Sequence, residues 1–200
     1  MQLEGEKVHI RPMVREDVDR MEDWRPFTDP LNFLWNGSPR NSSENNIWFE
    51  AQANDPSRQW YAVEDLAGRL IGRLSLRRIN WRKSAHLGIT LGADYVSQGY
   101  GADAIRTFLA YYFGELGFET LHLDVAAPNK RAICCYERCG FKHISSHYQG
   151  IGGNGRLAFL KDDEYRDIRR FFKKKKGRNV VLFYDMKIKK EDLKVHQLIS

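Results

Sequence analysis

The feature that most constrains the fold is a predicted strand, a glycine turn and a long amphipathic helix in close succession. Ala85–Leu91 is predicted to be the strand, Gly99-Tyr100-Gly101 lies in the turn, and apolar side chains repeat at helical spacing over 102–116. The next segment, Leu121–Val125, alternates between apolar and polar side chains, as a strand with one buried face does. This strand–helix–strand order predicts a sheet covered by helices.

The pattern before the glycine turn differs from the pattern after it. Short antiparallel strands and two helices are predicted first, and strands that alternate with helices follow. The predicted strands are 8–11, 60–63, 70–79, 85–91, 121–125, 141–148 and 180–188, with a short one at Leu157–Leu160. The predicted helices are 15–24, 42–54, 102–116 and 129–138, with a loop over 24–40 and a basic helix from Asp162. Without an internal repeat, we expect residues 1–200 to form a single α/β domain.

Composition excludes several classes of protein. The chain has 200 residues, of which 42% are hydrophobic, so a wholly disordered protein is excluded. No apolar run approaches the roughly 20 residues that a membrane span needs, and Met1–Lys7 lacks the pattern of a secretion signal. The three cysteines lie within six residues of one another, which suits a reducing cytoplasm better than a disulfide framework. We therefore expect a cytoplasmic protein without a membrane partner.

The net charge of +6 is concentrated near the end of the chain. Residues 1–160 carry 19 basic and 19 acidic side chains, whereas residues 161–200 carry 13 basic and 7 acidic ones. Most of the excess lies in Arg166–Arg178, around Lys173-Lys174-Lys175-Lys176. The body of the protein is thus neutral, and one late segment is basic.

The glycine turn has the properties of an anion site. The first N–H groups of a helix point out of its end, where the helix dipole favours negative charge, and glycine lets a phosphate approach the backbone. No Lys-Ser/Thr follows the turn, so it is not a nucleoside-triphosphate loop, and no third glycine completes a dinucleotide fingerprint. A Gly-x-Gly turn alone is weak support for a phosphate site.

The surrounding motifs resemble the GNAT acyltransferase superfamily. They are Leu87-Gly88-Ile89-Thr90-Leu91, Val96 to Ala104 around the glycine turn, Asn129, and Tyr136-Glu137-Arg138-Cys139-Gly140-Phe141. The opening Val8-His9-Ile10-Arg11-Pro12, with Asp17 and Trp24, is similar to the ribosomal-protein acetyltransferase branch (RimJ/RimL-like). Val96 departs from the family's pattern, which has arginine or glutamine at that position.

This resemblance implies a fold and a co-substrate. The fold is a mixed, mostly antiparallel sheet of about seven strands that splays between the fourth and fifth strands, with helices on both faces. Acetyl-CoA inserts into the splay like an extra strand. The positions that match the family's contacts with coenzyme A are Ile89, Leu91, Gln98, Gly99, Tyr100, Gly101, Ala102 and Asn129.

Transfer of an acetyl group to an amine needs a base and an acid. An ammonium with a pKa of ~10.4 costs about 4.6 kcal/mol to neutralise at pH 7, whereas an α-amine near ~7.8 costs about 1 kcal/mol. Asp124 is the leading candidate base. Alternation turns it away from the apolar face, and the resemblance places it, five residues before Asn129, where similar N-terminal protein acetyltransferases carry a glutamate. The alternative is an exposed carboxylate or the partner of an arginine. His122 is a second candidate base, and His86 and Glu64 are weaker ones.

Tyr136 matches the tyrosine that resembles a general acid in this superfamily, and the alternative is a packed aromatic residue. The resemblance also implies that the Leu91 N–H stabilises the oxyanion. No metal is expected, because Cys134, Cys135 and Cys139 lack ligand spacing and are better explained as small buried apolar residues.

The residues Gln149–Asn179 form an insertion that the family does not explain. The basic helix predicted there is either a solvated helix end or a docking site for an acidic partner such as RNA or the ribosome. Its apolar side chains pack either on the body of the protein or on a second subunit.

Two functions are therefore predicted. The first is acetyl-CoA-dependent acetylation of a primary amine, which is a protein N-terminus or a small molecule. The alternative is a non-catalytic acyl-CoA sensor, or a nucleic-acid or ribosome-binding module that uses residues 166–178. Dimers are common among similar proteins, so a homodimer is the expected assembly.

Overall fold

A computed structural model describes residues 1–29, 32, 41–80, 83–151 and 154–196. Its strands are β1 (Leu3–Glu4), β2 (Val8–Pro12), β3 (Gln59–Asp65), β4 (Leu70–Asn80), β5 (Ser84–Leu91), β6 (Thr120–Ala126), β7 (Lys142–Gly150), β8 (Phe172–Lys175) and β9 (Arg178–Lys189). Its α-helices are α1 (Arg15–Arg20), α2 (Ser42–Ala53), α3 (Tyr100–Gly114), α4 (Lys130–Arg138) and α5 (Lys190–His196). Short 3₁₀ helices cover Met21–Asp23, Ala93–Tyr95, Asn154–Lys161 and Asp163–Phe171.

The strands form one sheet in the order β1-β2-β3-β4-β5-β6-β9-β7, and β8 pairs with β9. Within the described residues every pairing is antiparallel except that of β5 with β6. The predicted mixed, mostly antiparallel sheet is thus confirmed, and the count exceeds seven because β1 and β8 are short additions. None of the helices in this part of the chain has the length and apolar content that a membrane span requires.

Helix α3 covers one face of the sheet. Its apolar stripe, which includes Ile105, Phe108 and Tyr112, is fully buried against inward side chains of the central strands. The helix begins at Tyr100, two residues before the predicted start, because Gly99 has φ +89° and caps it. Packing of this stripe therefore fixes the glycine turn at the edge of the core.

Helix α2 lies on the opposite face. Asn41 caps its N-terminus: the Asn41 side chain accepts a hydrogen bond from the Glu44 N–H, and the Glu44 carboxylate accepts one from the Asn41 N–H. Trp48 of this helix packs edge-on against Trp60 of β3, with ring centres 5.1 Å apart. The sheet thus has helices on both faces.

The predicted loop 24–40 lies partly outside the described residues.

The basic helix predicted from Asp162 is wrong in its second half. A 3₁₀ helix ends at Phe171, and the lysine run continues as β8, which pairs with β9 from Phe172↔Val181 to Lys175↔Arg178. Lys176 and Gly177 have φ of 49° and 75°, the conformation of a tight two-residue hairpin turn. This turn reverses the chain, so the lysines lie on a hairpin. Leu157–Leu160, predicted as a short strand, lies in the 3₁₀ helix Asn154–Lys161.

The insertion packs on the body of the protein. Phe159, Ile168 and Phe171 form a buried cluster with Ala127 and Val181. The ammonium of Lys173 lies 3.4 Å from the centre of the Tyr148 ring. Of the two alternatives left open by the sequence, packing of these apolar side chains on the body is therefore the one observed.

A buried carboxylate joins the first helix to the sheet. Arg11 on β2 donates two hydrogen bonds to Asp17 on α1, at 2.7 and 2.8 Å, and the Val14 N–H donates a third. Burial alone would raise the pKa of Asp17, but these hydrogen bonds and the charges of Arg11 and Arg20 outweigh it and leave that pKa below its ordinary value.

We expect Asp17→Asn to destabilise the fold by about 2–3 kcal/mol, because it leaves the partly buried Arg11 guanidinium with a weaker partner. A lowered carboxyl pKa stabilises the fold above the unfolded-state pKa, and this contribution is lost as pH falls through the folded-state value. Urea denaturation at neutral pH and near ~pH 4 tests both points. Equal stability of the two proteins at neutral pH would contradict the prediction, and Asp163→Asn, at an exposed site, is the control.

Candidate active site

The sheet divides between β5 and β6. These strands pair only from Ser84↔Thr120 to His86↔His122. Beyond His86, β5 stays paired with β4 as far as Leu91, and β6 stays paired with β9 as far as Ala126. The facing edges of β5 and β6 therefore separate, at the place where the resemblance predicted a splay.

The free edge of β5 presents backbone donors to this gap. Gly92 donates its N–H to Ile71 O of β4 at 3.0 Å. Successive N–H groups of an extended strand point to opposite sides, so those of Leu91 and Ile89 point into the gap. An extended ligand could pair with them as a strand does.

A cavity of about 770 Å³ runs through the gap. Eight of the predicted site residues line it together. They come from β5, β6, α3, α4 and the N-caps of these two helices: Ile89, Leu91, Gly99, Gly101, Ala102, Asp124, Asn129 and Tyr136. Gln98 and Tyr100 do not line it. The Gln98 amide donates to Asp94 O at 2.6 Å, and Tyr100 packs on Tyr95.

The glycine turn forms one end of the cavity. Ser97 and Gly99 have φ of 63° and 89°, so the chain turns sharply before α3. The N–H groups of the first helical turn have no carbonyl four residues earlier within the helix. A Cβ added to Gly101 would lie 3.5 Å from Leu91 Cδ1 and 3.9 Å from Cys135 Sγ, between two other cavity residues. Space, backbone donors and the helix dipole at this end therefore suit a pyrophosphate.

The N-terminal segment adds a cation to this end. Asp103, buried in the first turn of α3, accepts the Lys7 N–H at 2.8 Å. The Lys7 ammonium then donates to Gln98 O at 3.2 Å, and a Cβ on Gly99 would lie 3.3 Å from its Nζ. Sequence reasoning missed Lys7, because it lies about ninety residues from the turn.

Asn129 caps α4 and lies in the cavity wall. Its Oδ1 accepts the Ala132 N–H at 3.1 Å. This bond fixes the side chain and leaves the Nδ2 amide as the atom that can donate to a ligand. The contact with coenzyme A that the resemblance implies for Asn129 is compatible with this geometry.

Asp124 lies on β6 in the wall of the cavity. Its carboxylate is 29% exposed, and Oδ1 is 3.8 Å from Nη2 of Arg77 on β4. This distance exceeds that of a good hydrogen bond, so the carboxylate keeps lone pairs for a water or an ammonium. The structure therefore places Asp124 near an arginine, as one alternative predicted, and its role as a base stays a prediction.

Tyr136 enters the cavity from α4. Burial, with the nearby Cys135 thiol and Asp124 carboxylate, raises the pKa of Tyr136 well above that of free tyrosine. Its phenol therefore stays protonated at neutral pH and can serve as a proton donor. The ring also packs against Phe141 at 6.1 Å, so the structural alternative for Tyr136 is also present.

The other candidate bases lie outside the cavity wall. His86 and His122 stack at 5.3 Å where β5 and β6 still pair, and burial lowers the pKa of both. Glu64 accepts a hydrogen bond from Arg11 at 2.7 Å. We infer structural roles for these three side chains.

The cysteines differ from the sequence prediction. Only Cys139 is buried; Cys135 is half-buried and Cys134 is exposed, and both of these line the cavity. Their exposure follows from the short helix α4, which faces the gap along one side. Among the described residues, no group of three or more potential ligands is placed to hold a metal ion.

The end of the cavity beneath α2 was not predicted. Trp48, Trp60, Arg73, Ser75 and Arg77 line it. A signal was present in the sequence, since Arg73-Leu74-Ser75-Leu76-Arg77 alternates, with polar side chains on one face. Alternation alone does not distinguish a cavity wall from a solvent-exposed face.

Comparisons with known proteins agree with this geometry. A family model described as an acetyltransferase (GNAT) domain matches residues 7–142. The spermidine N(1)-acetyltransferase of Vibrio cholerae serotype O1 is 28% identical over 125 residues, which cover 62% of this chain and 68% of that protein. The mycothiol acetyltransferase of Salinispora tropica is 28% identical over 148 residues, which cover 68% of this chain and 44% of that protein.

A solved structure shares the fold. The spermidine N-acetyltransferase of Vibrio cholerae in complex with CoA and spermine superposes with a TM-score of 0.69 at 21% identity, and the match covers 93% of this chain and 97% of that chain. None of these relatives is named as a ribosomal-protein acetyltransferase, so they do not support the narrower branch predicted from the sequence.

Proposed function

The chain belongs to the GNAT acetyltransferase domain family, and we propose that it transfers the acetyl group of acetyl-CoA to a primary amine in a ternary complex. The observation that carries the proposal is the single cavity that joins the glycine turn, the free edge of β5, Asp124 and Tyr136. The narrow gap, the backbone donors of Ile89 and Leu91 and the helix N-terminus suit a long ligand with an amide-rich arm and a pyrophosphate.

Each residue then has a role in the transfer. Bound acetyl-CoA supplies the thioester. Asp124, through a water, takes the proton from the ammonium, and the Leu91 N–H donates to the oxygen that gains charge. The N–C bond forms, the C–S bond breaks, and Tyr136 gives its proton to the leaving thiolate. The nitrogen then loses its second proton, which returns through water to the Tyr136 phenolate.

The acceptor is a small-molecule amine or a protein N-terminus. The relatives named above add spermidine to the candidates, and the proposed residues do not depend on which amine binds. The basic hairpin 172–178 lies outside the cavity wall, so an RNA or ribosome partner would act apart from this chemistry.

The direct test is release of free thiol from acetyl-CoA in the presence of a broad panel of amines, with the acetylated product identified by mass spectrometry. We expect turnover, and initial rates that give intersecting double-reciprocal lines when both substrates are varied. No thiol release with any amine would overturn the proposal, and parallel lines would replace the ternary complex with a covalent enzyme intermediate.

Tyr136→Phe is expected to lower kcat by about tenfold, since a thiolate whose conjugate acid has a pKa near ~8.5 leaves with little assistance. Because burial raises the pKa of Tyr136, the wild-type phenol stays protonated between about pH 7 and pH 9, and kcat should not fall over that range through its ionisation. Thiol-release assays of wild type and Tyr136→Phe between about pH 7 and pH 9 test the prediction. Tyr111→Phe on α3, outside the cavity wall, is the control, and an unchanged kcat in Tyr136→Phe would leave Tyr136 a packing residue.

A further inference from the structure

The wall of the cavity contains two thiols that the proposed transfer does not use. Cys134 is exposed and Cys135 is half-buried, and both line the cavity. Cys139 is buried at the C-cap of α4, four residues after Cys135 and therefore one helical turn away on the same side. Among the three cysteines of the chain, Cys135 is thus the one that combines contact with the cavity and a neighbouring thiol.

The position of Cys135 favours its thiolate form. A Cβ added to Gly101 would lie 3.9 Å from Cys135 Sγ, so the sulfur lies beside the first turn of α3. The N-terminus of a helix stabilises negative charge and lowers the pKa of a nearby thiol. Because Cys135 is only half-buried, a thiolate there is also accessible to a reagent in the cavity.

A neighbouring thiol and three guanidinium groups act in the same direction. The Cys139 S–H donates a hydrogen bond to Cys135 Sγ, and Arg106 on α3 and Arg138 and Arg131 on α4 place positive charge near it. Together they outweigh burial and hold the pKa of Cys135 below its ordinary value. They also offset the C-terminal end of the α4 dipole, which disfavours a thiolate in the last turn of that helix. Cys135 is therefore an activated nucleophile.

Cys139 does not compete for this role. It is buried, its sulfur lies 3.7 Å from Ala102 O, and it lies outside the described wall of the cavity. Its hydrogen bond with Cys135 and its burial raise its pKa. Cβ atoms four residues apart on a helix are separated by about 5–6 Å, whereas a disulfide needs about 3.5–4.5 Å. An internal disulfide would therefore break the last turn of α4, so an external disulfide is the favoured partner of Cys135.

A group attached to Cys135 would occupy space that acetyl-CoA needs. The position of an added Gly101 Cβ lies between Cys135 Sγ and Leu91 Cδ1, at 3.9 and 3.5 Å. In the proposed complex a phosphate passes through this space to reach the N–H groups of α3. The positive charge that suits the pyrophosphate also attracts an anionic reagent to the same place.

We propose that Cys135 is a modification site for low-molecular-weight disulfides that carry carboxylates, and that the resulting mixed disulfide closes the acetyl-CoA site. The second part rests on the proposed function. The Cys135 thiolate attacks one sulfur of the disulfide, a new S–S bond forms, the original S–S bond breaks, and the other half leaves as a thiolate that takes a proton from water. Cys135 is oxidised and the leaving thiol is reduced, so the exchange needs no further oxidant.

The test compares disulfides of different charge near ~pH 7. Oxidised glutathione carries carboxylates, bis(2-hydroxyethyl) disulfide is neutral and cystamine is cationic. Each rate is divided by the rate of the same reagent with 2-mercaptoethanol, which removes differences in intrinsic reactivity. We expect the normalised rate of oxidised glutathione to exceed that of cystamine by at least about tenfold, with the neutral reagent between them and with a smaller difference at high salt.

Peptide mapping after an acid quench locates the adduct. Trypsin releases Cys134 and Cys135 in the peptide 132–138 and Cys139 in the peptide 139–142, and fragmentation separates the first two. We expect one glutathione per chain, on Cys135. Bound coenzyme A at 100 times its Kd should slow the modification about 100-fold, because the two compete for the same space.

Matched variants connect the reaction to this sulfur. Cys135→Ser should lose the fast modification, whereas Cys134→Ser, which removes the more exposed neighbour, should keep it. Cys139→Ala should slow the exchange, because the thiolate loses a hydrogen bond. The glutathione adduct of the wild-type protein should bind acetyl-CoA at least about 100-fold more weakly, and dithiothreitol should restore the affinity. A cooperative thermal transition of the adduct distinguishes a closed site from an unfolded protein.

The outcomes separate this inference from the proposed function. Modification of Cys134 before Cys135, or a normalised rate of cystamine equal to that of oxidised glutathione, overturns the inference and leaves the acetyltransferase intact. An adduct on Cys135 that leaves acetyl-CoA binding unchanged overturns its second part. If the untreated protein binds no coenzyme A, the proposed function fails together with the closure of the site, and the charge preference at Cys135 then decides the first part alone.

Discussion

Asp124→Asn is expected to lower kcat for an acceptor with a lysine-like amine by about 10²–10⁴-fold at neutral pH, with acetyl-CoA affinity unchanged. Asparagine keeps the size and hydrogen-bonding shape of the side chain but cannot take the proton. Asp124 lies in the cavity wall, and its 3.8 Å approach to Arg77 leaves room for a water. The measurement is steady-state kinetics with calorimetric binding of acetyl-CoA.

The pH dependence distinguishes a base from a positioning carboxylate. An amine with a pKa of ~10.4 loses its proton to solvent as pH rises, so the deficit of Asp124→Asn should shrink toward about pH 10 if Asp124 is the base. A constant deficit would assign it a positioning role. Asp185→Asn is the matched control, because Asp185 is the direct neighbour of Asp124 on β9 but lies outside the cavity wall. Equal kcat in Asp124→Asn and wild type would contradict the mechanism.

Gly101→Ala is expected to weaken acetyl-CoA binding by about 100-fold while the fold is retained. The new methyl group meets Leu91 and Cys135 at ordinary contact distances, so packing tolerates it. It occupies the space through which a phosphate would reach the N–H groups of α3, and each charge-assisted bond lost costs about 1.5–3 kcal/mol. Calorimetric titration of the purified variant measures the effect.

Gly114→Ala is the matched control at the other end of the same helix, where an added Cβ meets nothing within 4 Å. Both substitutions replace a helical glycine, so both should hold or raise the melting temperature. If Gly101→Ala binds acetyl-CoA as tightly as Gly114→Ala does, the glycine turn does not hold the pyrophosphate.

The sequence predicted those parts of the molecule that depend on local patterns. Periodicity located α3 within two residues, and alternation placed Asp124 on the face opposite to Leu121 and Leu123. The resemblance supplied the splay between β5 and β6, which no local pattern encodes. The bounds of α3 and the face of Asp124 thus rest on short-range spacing, and the splay rests on the motifs that carry the resemblance.

The parts that could not be predicted depend on distant contacts. The lysine run lies on a hairpin because Lys176-Gly177 turns the chain and β9 pairs with β8, and a run of lysines does not itself show that pairing. Lys7 reaches the glycine turn only because Asp103 holds its backbone. Trp60 and Arg77 meet in one wall through the register of β3, β4 and β5, which the sequence alone leaves undetermined.

The measurement that tests the central claim most directly is isothermal titration of the purified protein with acetyl-CoA, coenzyme A and dephospho-coenzyme A. We predict micromolar binding of acetyl-CoA and coenzyme A, with one molecule bound per chain. Absence of binding by either ligand would contradict the placement of acetyl-CoA between β5 and β6.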